Sequence, residues 1–201
     1  MLNIKVQRNQ GLLLSCSCIT GLLFCYTSPA IQKEIITNLP AEFLSVQSLW
    51  WCMSALLIGI VWKGSTRETA IKYFTVLALT ESFMGFCLGM YLVFVEYNVW
   101  VFAIGSLLYS SIVSIFVGKC IMCFQSKLWQ NREREDFDNT NSVVRGIVNC
   151  LGFGLSIFAM PSIKVAVFVW GSCCIVDDIG WIIVYNRCRR QIVDARDMAN
   201  G

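Results

Sequence analysis

Three carboxylates and one guanidinium fall where a polar side chain is expensive. Glu81 lies in the apolar run 73–95, Asp177 and Asp178 lie in the run 165–185, and Arg145 stands at the start of the run 143–162. A charge at the centre of a bilayer costs on the order of 3 kcal/mol, so such residues face a protein interior or a water-filled cavity. The chemistry they can do there is to bind and pass a proton, a cation or a polar solute. The plainer alternative is that they only hold helices together, protonated or paired. Glu81 follows Tyr73 by eight residues and Asp177 precedes Tyr185 by eight. At 1.5 Å per residue both are roughly 12 Å in from the same boundary, which predicts one level for the two acids.

Their surroundings follow from helical spacing. Glu81, Gly85 and Gly89 recur at every fourth position, which puts the acid on a face narrow enough for another helix to approach. Asp178 shares a face with Cys174 and Gly171, whereas Asp177 is turned away by about 100° and reaches a different neighbour. Arg145 heads a face continued by Asn149, Gly152 and Ser156, and it either snorkels to the boundary or pairs with Asp177 or Asp178. Glu81, Asp177, Asp178 and Arg145 are therefore the expected ion or solute pathway. Ser106, Ser110, Ser114 and Gly118 form a further stripe, read together with Gly85 and Gly89 as helix-packing positions.

Other chemistries find little to work with. The chain has no histidine, which removes the commonest general base and the histidine-bearing metal and nucleophile motifs. Eleven cysteines lie almost all inside apolar runs, and free thiols are expected. Cys120 and Cys123 make a lone CxxC, two ligands short of a zinc site. Asp177–Asp178 is followed by Ile179, Gly180 and Trp181, so no third carboxylate completes an Asp-rich metal site. No phosphate-cradling glycine loop ending in Lys and Ser or Thr is present. The expectation is a protein that is not an enzyme, with no cofactor, no metal and no nucleic-acid partner.

The elements that must position these residues are transmembrane helices. Of 201 residues 56% are hydrophobic and only 14% charged, against about 25% in soluble domains, so the expected solvent is the lipid bilayer. Spans are predicted near 10–31, 44–62, 73–95, 99–124, 143–162 and 165–185, each near the 20 or so apolar residues that cross a membrane. The first run exceeds a signal-peptide core and is read as a retained helix. Fourteen of the 16 basic residues fall at the N-terminus, in the second and fourth connections, at Arg145 or in the tail; only Lys33 and Lys164 fall in the alternate connections. That bias puts both termini in the cytoplasm. Trp62, Tyr73 and Tyr185 then lie at inner ends, and Tyr97, Trp100 and Trp170 at outer ends. The expected fold is an all-α, polytopic helix bundle of about six transmembrane helices. Its parts are a cytoplasmic segment 1–9, a transmembrane domain 10–190 and a cytoplasmic tail 191–201. The sign-alternating Arg132–Asp138 is read as a solvated turn within the longest connection.

Six spans, cytoplasmic ends, a basic second connection and a long charged fourth one resemble the N-terminal half of a major facilitator superfamily transporter. The second connection carries Gly59, Lys63, Gly64, Arg67 and Lys72, which keep the glycine and basic character of that family's loop but lack its aspartate. The resemblance implies three-plus-three inverted repeats within the half, with the third and sixth helices equivalent. It also implies that a second copy or a partner membrane subunit completes the pathway. The expectation is a half-size secondary transporter of a bacterial cytoplasmic membrane, moving a small solute with a proton or ion. The competing expectation is a non-transporting accessory, an immunity or resistance factor, or a truncated transporter relic, in which the acids merely join helices.

Overall fold

The computed structural model describes the backbone of residues 2–63, 67–108, 120–122, 125, 129 and 131–200. It describes side chains for 9–50, 52–56, 59–60, 73–108, 120–122, 125, 129 and 133–188. The elements are α1 (Leu2–Asn38), α2 (Glu42–Lys63), α3 (Arg67–Phe94), α4 (Val99–Leu108), α5 (Asn131–Phe158) and α6 (Ile163–Asn200), with no strand among the described residues. Four stretches are long and apolar enough to cross a membrane: Asn9–Asn38, Tyr73–Phe94, Glu133–Phe158 and Ile163–Cys188. Val99–Leu108 is a shorter apolar helix. Large apolar side chains crowd the outside, with Phe83 68% and Phe158 90% exposed, as a surface facing lipid rather than water requires.

Helix α6 lies between α1 and α3 and runs antiparallel to both. Against α1, Asn9 meets Cys188, Gly180 meets Cys16, and the Thr20 hydroxyl donates to the Cys173 carbonyl at 3.0 Å. Against α3, the rings of Phe74 and Tyr185 sit 5.6 Å apart, and Gly89 lies on the backbone of Phe168. A Cβ on Gly171 would run into the Gly85 carbonyl oxygen, so the two backbones touch with nothing between them. Glycine faces of this kind let helices gain dispersion contacts where no hydrophobic effect drives association.

Helix α5 packs on the other side of α1 and runs parallel to it: Gly21 lies against Arg145 and Asn149, and Gly152 against Leu22, Cys25 and Tyr26. Helices α2 and α4 start at the end of the bundle where α1 and α3 finish. They run side by side, joined by the Phe43–Trp100 edge contact and by the Trp50 indole donating to the Leu107 carbonyl at 3.2 Å. Thus α1, α3 and α5 point one way, and α2, α4 and α6 the other. We call the end where α1 begins and α6 finishes the proximal face, and the other end the distal face.

Two local features depart from a plain apolar helix. Pro29 sits inside α1, where it has no N–H for the Cys25 carbonyl and tends to kink the helix. The second is the charged stretch Arg132–Asp138. It is helical, not a turn, because α5 starts at Asn131 and extends its first turns beyond the apolar stretch. Charges of opposite sign four residues apart suit a solvated helix, and Arg134 Nε pairs with Asp138 Oδ2 at 3.6 Å. Phe137 anchors this end through Trp129, at 4.9 Å between rings, and Trp129 in turn lies 6.4 Å from Trp181.

Candidate functional site

Glu81 and Asp178 are both buried, at 5% and 4% exposure, on facing sides of α3 and α6. The contact between those helices is antiparallel, so equal counts from the Phe74–Tyr185 pair bring the two acids to one level. Ser82 completes the group: its hydroxyl donates to Asp178 Oδ2 at 2.7 Å, and Glu81 stands within electrostatic range of the same carboxyl. Towards the distal face, one turn along α3 and two along α6, Gly85 and Gly171 close the seam. A water-filled gap does not separate these helices at that point. The Ser82–Asp178 hydrogen bond therefore lies directly in a helix-helix contact.

Asp177, one residue earlier, turns towards α1 and α5. It is half-buried and lies within electrostatic range of Arg145 and Cys16. The structure thus assigns the two adjacent acids to different seams, and Arg145 belongs to that of Asp177. Arg145 is exposed on α5, with its stem beside Gly21. Asn149 lies beside Gly21 as well, and its Oδ1 is buried with no hydrogen-bond partner among the described residues. Gly152 and Ser156 continue that face into the α1 contact, Gly152 against backbone and Ser156 buried at 3% exposure.

Of the remaining positions singled out in the sequence, Gly85 and Gly89 both lie in the α3–α6 seam. Ser106 is half-buried on α4, its hydroxyl donating to the Ala103 carbonyl at 2.9 Å. Ser110, Ser114 and Gly118 lie outside the described residues, as does Cys123. No disulfide joins the ten described cysteines, and among the described residues no three Cys, Asp or Glu side chains gather as metal ligands.

Hydropathy alone could not reveal the chamber above this level. Between α1, α2, α4 and α6, in the distal half, lies a cavity of about 510 Å³. Helix α1 contributes Phe24, Ser28 and Gln32; α2 contributes Leu44 and Gln47. Helix α4 adds Phe102 and Ser106, and α6 adds Trp170, Cys173 and Cys174. The floor at Cys173 and Cys174 is one helical turn from Asp177 and Asp178, and Cys174 is within electrostatic range of Asp178. The lining comes from four helices, and the sequence signal for it was the polar spacing of Ser28 and Gln32 on α1.

At the distal rim, in the connection between α3 and α4, Tyr97 is half-buried. Burial first, and the neighbouring Glu34 carboxylate second, push its phenol above the ordinary range. The neutral phenol thus favours the folded chain below about pH 10, and that contribution is lost as pH rises from there towards the folded value. Ultraviolet titration should show a phenol ionising above the ordinary range, missing in Tyr97→Phe. The variant should also lose stability less steeply than the parent above about pH 10. Identical titrations of the two proteins would refute this assignment.

Comparison with known proteins finds no matching family model, no matching curated protein and no matching solved structure.

Proposed function

We propose that the chain is a half-size secondary transporter, facilitator-like in plan. In this reading it crosses a bacterial cytoplasmic membrane six times with both ends in the cytoplasm. It moves a small solute coupled to a proton or ion. One observation carries the proposal: Glu81 and Asp178 are buried at one level, with Asp177 adjacent, one helical turn from the Cys173–Cys174 floor of a chamber in the distal half of the bundle. A carboxyl in an apolar slab exchanges a proton more readily than it keeps an unpaired charge. The alternating helix directions and the basic residues gathered at one set of connections support six passes and cytoplasmic ends.

In this mechanism a proton entering through the chamber reaches the α3–α6 seam. There it changes the charge between Glu81, Ser82 and Asp178 and with it the grip of one helix on the other. Rocking of one repeat against the other then passes the site from face to face. One half does not enclose a full pathway, so a second copy or a partner membrane subunit belongs to the proposal. The test is dye-reported proton flux into liposomes holding the purified chain. Glu81→Gln should abolish the flux and leave insertion intact; undiminished flux in that variant removes Glu81 from the route.

The second reading is a non-transporting accessory or immunity protein. The 2.7 Å hydrogen bond from Ser82 to Asp178 favours it, since that bond is also what a simple fastening of α3 to α6 requires.

A further inference from the structure

The chamber has the size of a small-molecule site, within the roughly 300–1,000 Å³ usual for such pockets, and its lining is selective in charge. None of its described lining residues is Asp, Glu, Lys or Arg, although Lys33 and Glu34 stand on the same helix α1. Aromatic lining comes from the exposed Phe24 and from Trp170, whose ring meets that of the buried Phe102 edge to face at 5.4 Å. The amides of Gln32 and Gln47 stand near the distal end of the space, and the Ser106 hydroxyl lies deeper on α4. An apolar body with a few convergent hydrogen-bonding groups is what such a lining can satisfy, while an ion would enter without a counter-charge.

We infer that this chamber binds an uncharged amphipathic solute: a ring-sized apolar body lying against Phe24 and Trp170, with an amide or hydroxyl head held by Gln32 and Gln47. The inference rests on the transport reading for its purpose, since it names the class of solute that would be carried, but binding itself needs no transport. The site lies within a single chain. It is therefore present whether or not a second copy joins. Its floor at Cys173 and Cys174 puts a bound solute directly above Asp177 and Asp178, where it excludes water from their approach.

The experiment uses the full chain in lipid nanodiscs and three radiolabelled probes that share one body: naphthalene-2-carboxamide, 2-naphthoate and 2-naphthylmethylammonium. Equilibrium dialysis against empty nanodiscs reads protein-dependent binding. The carboxamide is expected to bind saturably and the two ions at least about ten-fold more weakly. Ser106→Trp, which fills the space, should weaken the carboxamide by about ten-fold or more. Gln47→Leu, on the α2 wall, should weaken it several-fold without altering the fold. Absence of saturable binding, equal binding of the ions, or indifference to both variants overturns the inference. So does a retained phospholipid, seen by native mass spectrometry, that the carboxamide does not displace. Carboxamide binding together with undiminished proton flux in Glu81→Gln would keep the site and remove Glu81 from the transport reading, so the two can fail separately.

Discussion

Gly171→Leu is expected to take the bundle apart, whereas Gly154→Leu leaves it intact. A side chain at Gly171 meets the Gly85 carbonyl oxygen and then the Gly89 Cα at 3.5 Å, both backbone atoms of α3 that cannot swing aside. The helices must separate or shift along each other, and either movement also breaks the Ser82–Asp178 bond and the Phe74–Tyr185 contact. Overpacking of a tight site costs about 3 kcal/mol, a large part of the 5–15 kcal/mol or so that holds a typical domain together. Gly154 has nothing within 4 Å of an added Cβ, so leucine there adds only lipid-facing surface. Unfolding midpoints in detergent micelles measure the contrast. Equal midpoints for the two variants would mean that α3 and α6 do not meet at Gly85 and Gly171.

The second large effect separates the two functional readings. Asp178→Asn should eliminate proton flux while leaving the unfolding midpoint nearly unchanged. The asparagine carbonyl can accept the Ser82 hydroxyl as Asp178 Oδ2 does, so the fastening survives. What is lost is the exchangeable carboxyl proton. Asp178→Ala removes both, and because interhelical hydrogen bonds in membranes average about 0.6 kcal/mol, its extra destabilisation should be of that order. Flux retained in Asp178→Asn would take this acid out of the route. Collapse of Asp178→Asn to the level of Gly171→Leu would instead make it a structural fastener and favour the non-transporting reading.

Much of the architecture is legible in the sequence because lipid imposes one-dimensional rules. Apolar runs of bilayer length must be helices, and glycines at every fourth position mark where another backbone can approach. Counting inward from Tyr73 and Tyr185 likewise places Glu81 near the level of the acid pair, since rise per residue is fixed. Which neighbour each acid meets is harder to read. Helical rotation says that Asp177 and Asp178 diverge by about 100°, but only the order α5, α1, α6, α3 in space decides that Ser82 faces one and Arg145 the other. The start of α5 at Asn131 was hidden for a different reason. A helix leaving the bilayer may carry charges in its solvated turns, and hydropathy ends where the lipid ends and not where the hydrogen bonds do. The chamber was hidden because its walls converge from four separate segments.

The neighbouring positions of Asp177 and Asp178 have a consequence for how α6 can move. Each carboxyl answers to a different seam, one towards α3 and one towards α1 and α5, yet a single peptide unit joins them. A change of charge at one of them acts on that side only: at Asp177 it weakens the attraction to Arg145, whereas at Asp178 it relieves the repulsion from Glu81. In the transport reading, charge changes at the two positions would bias α6 towards two different sides, like a reed pressed first at one edge and then at the other.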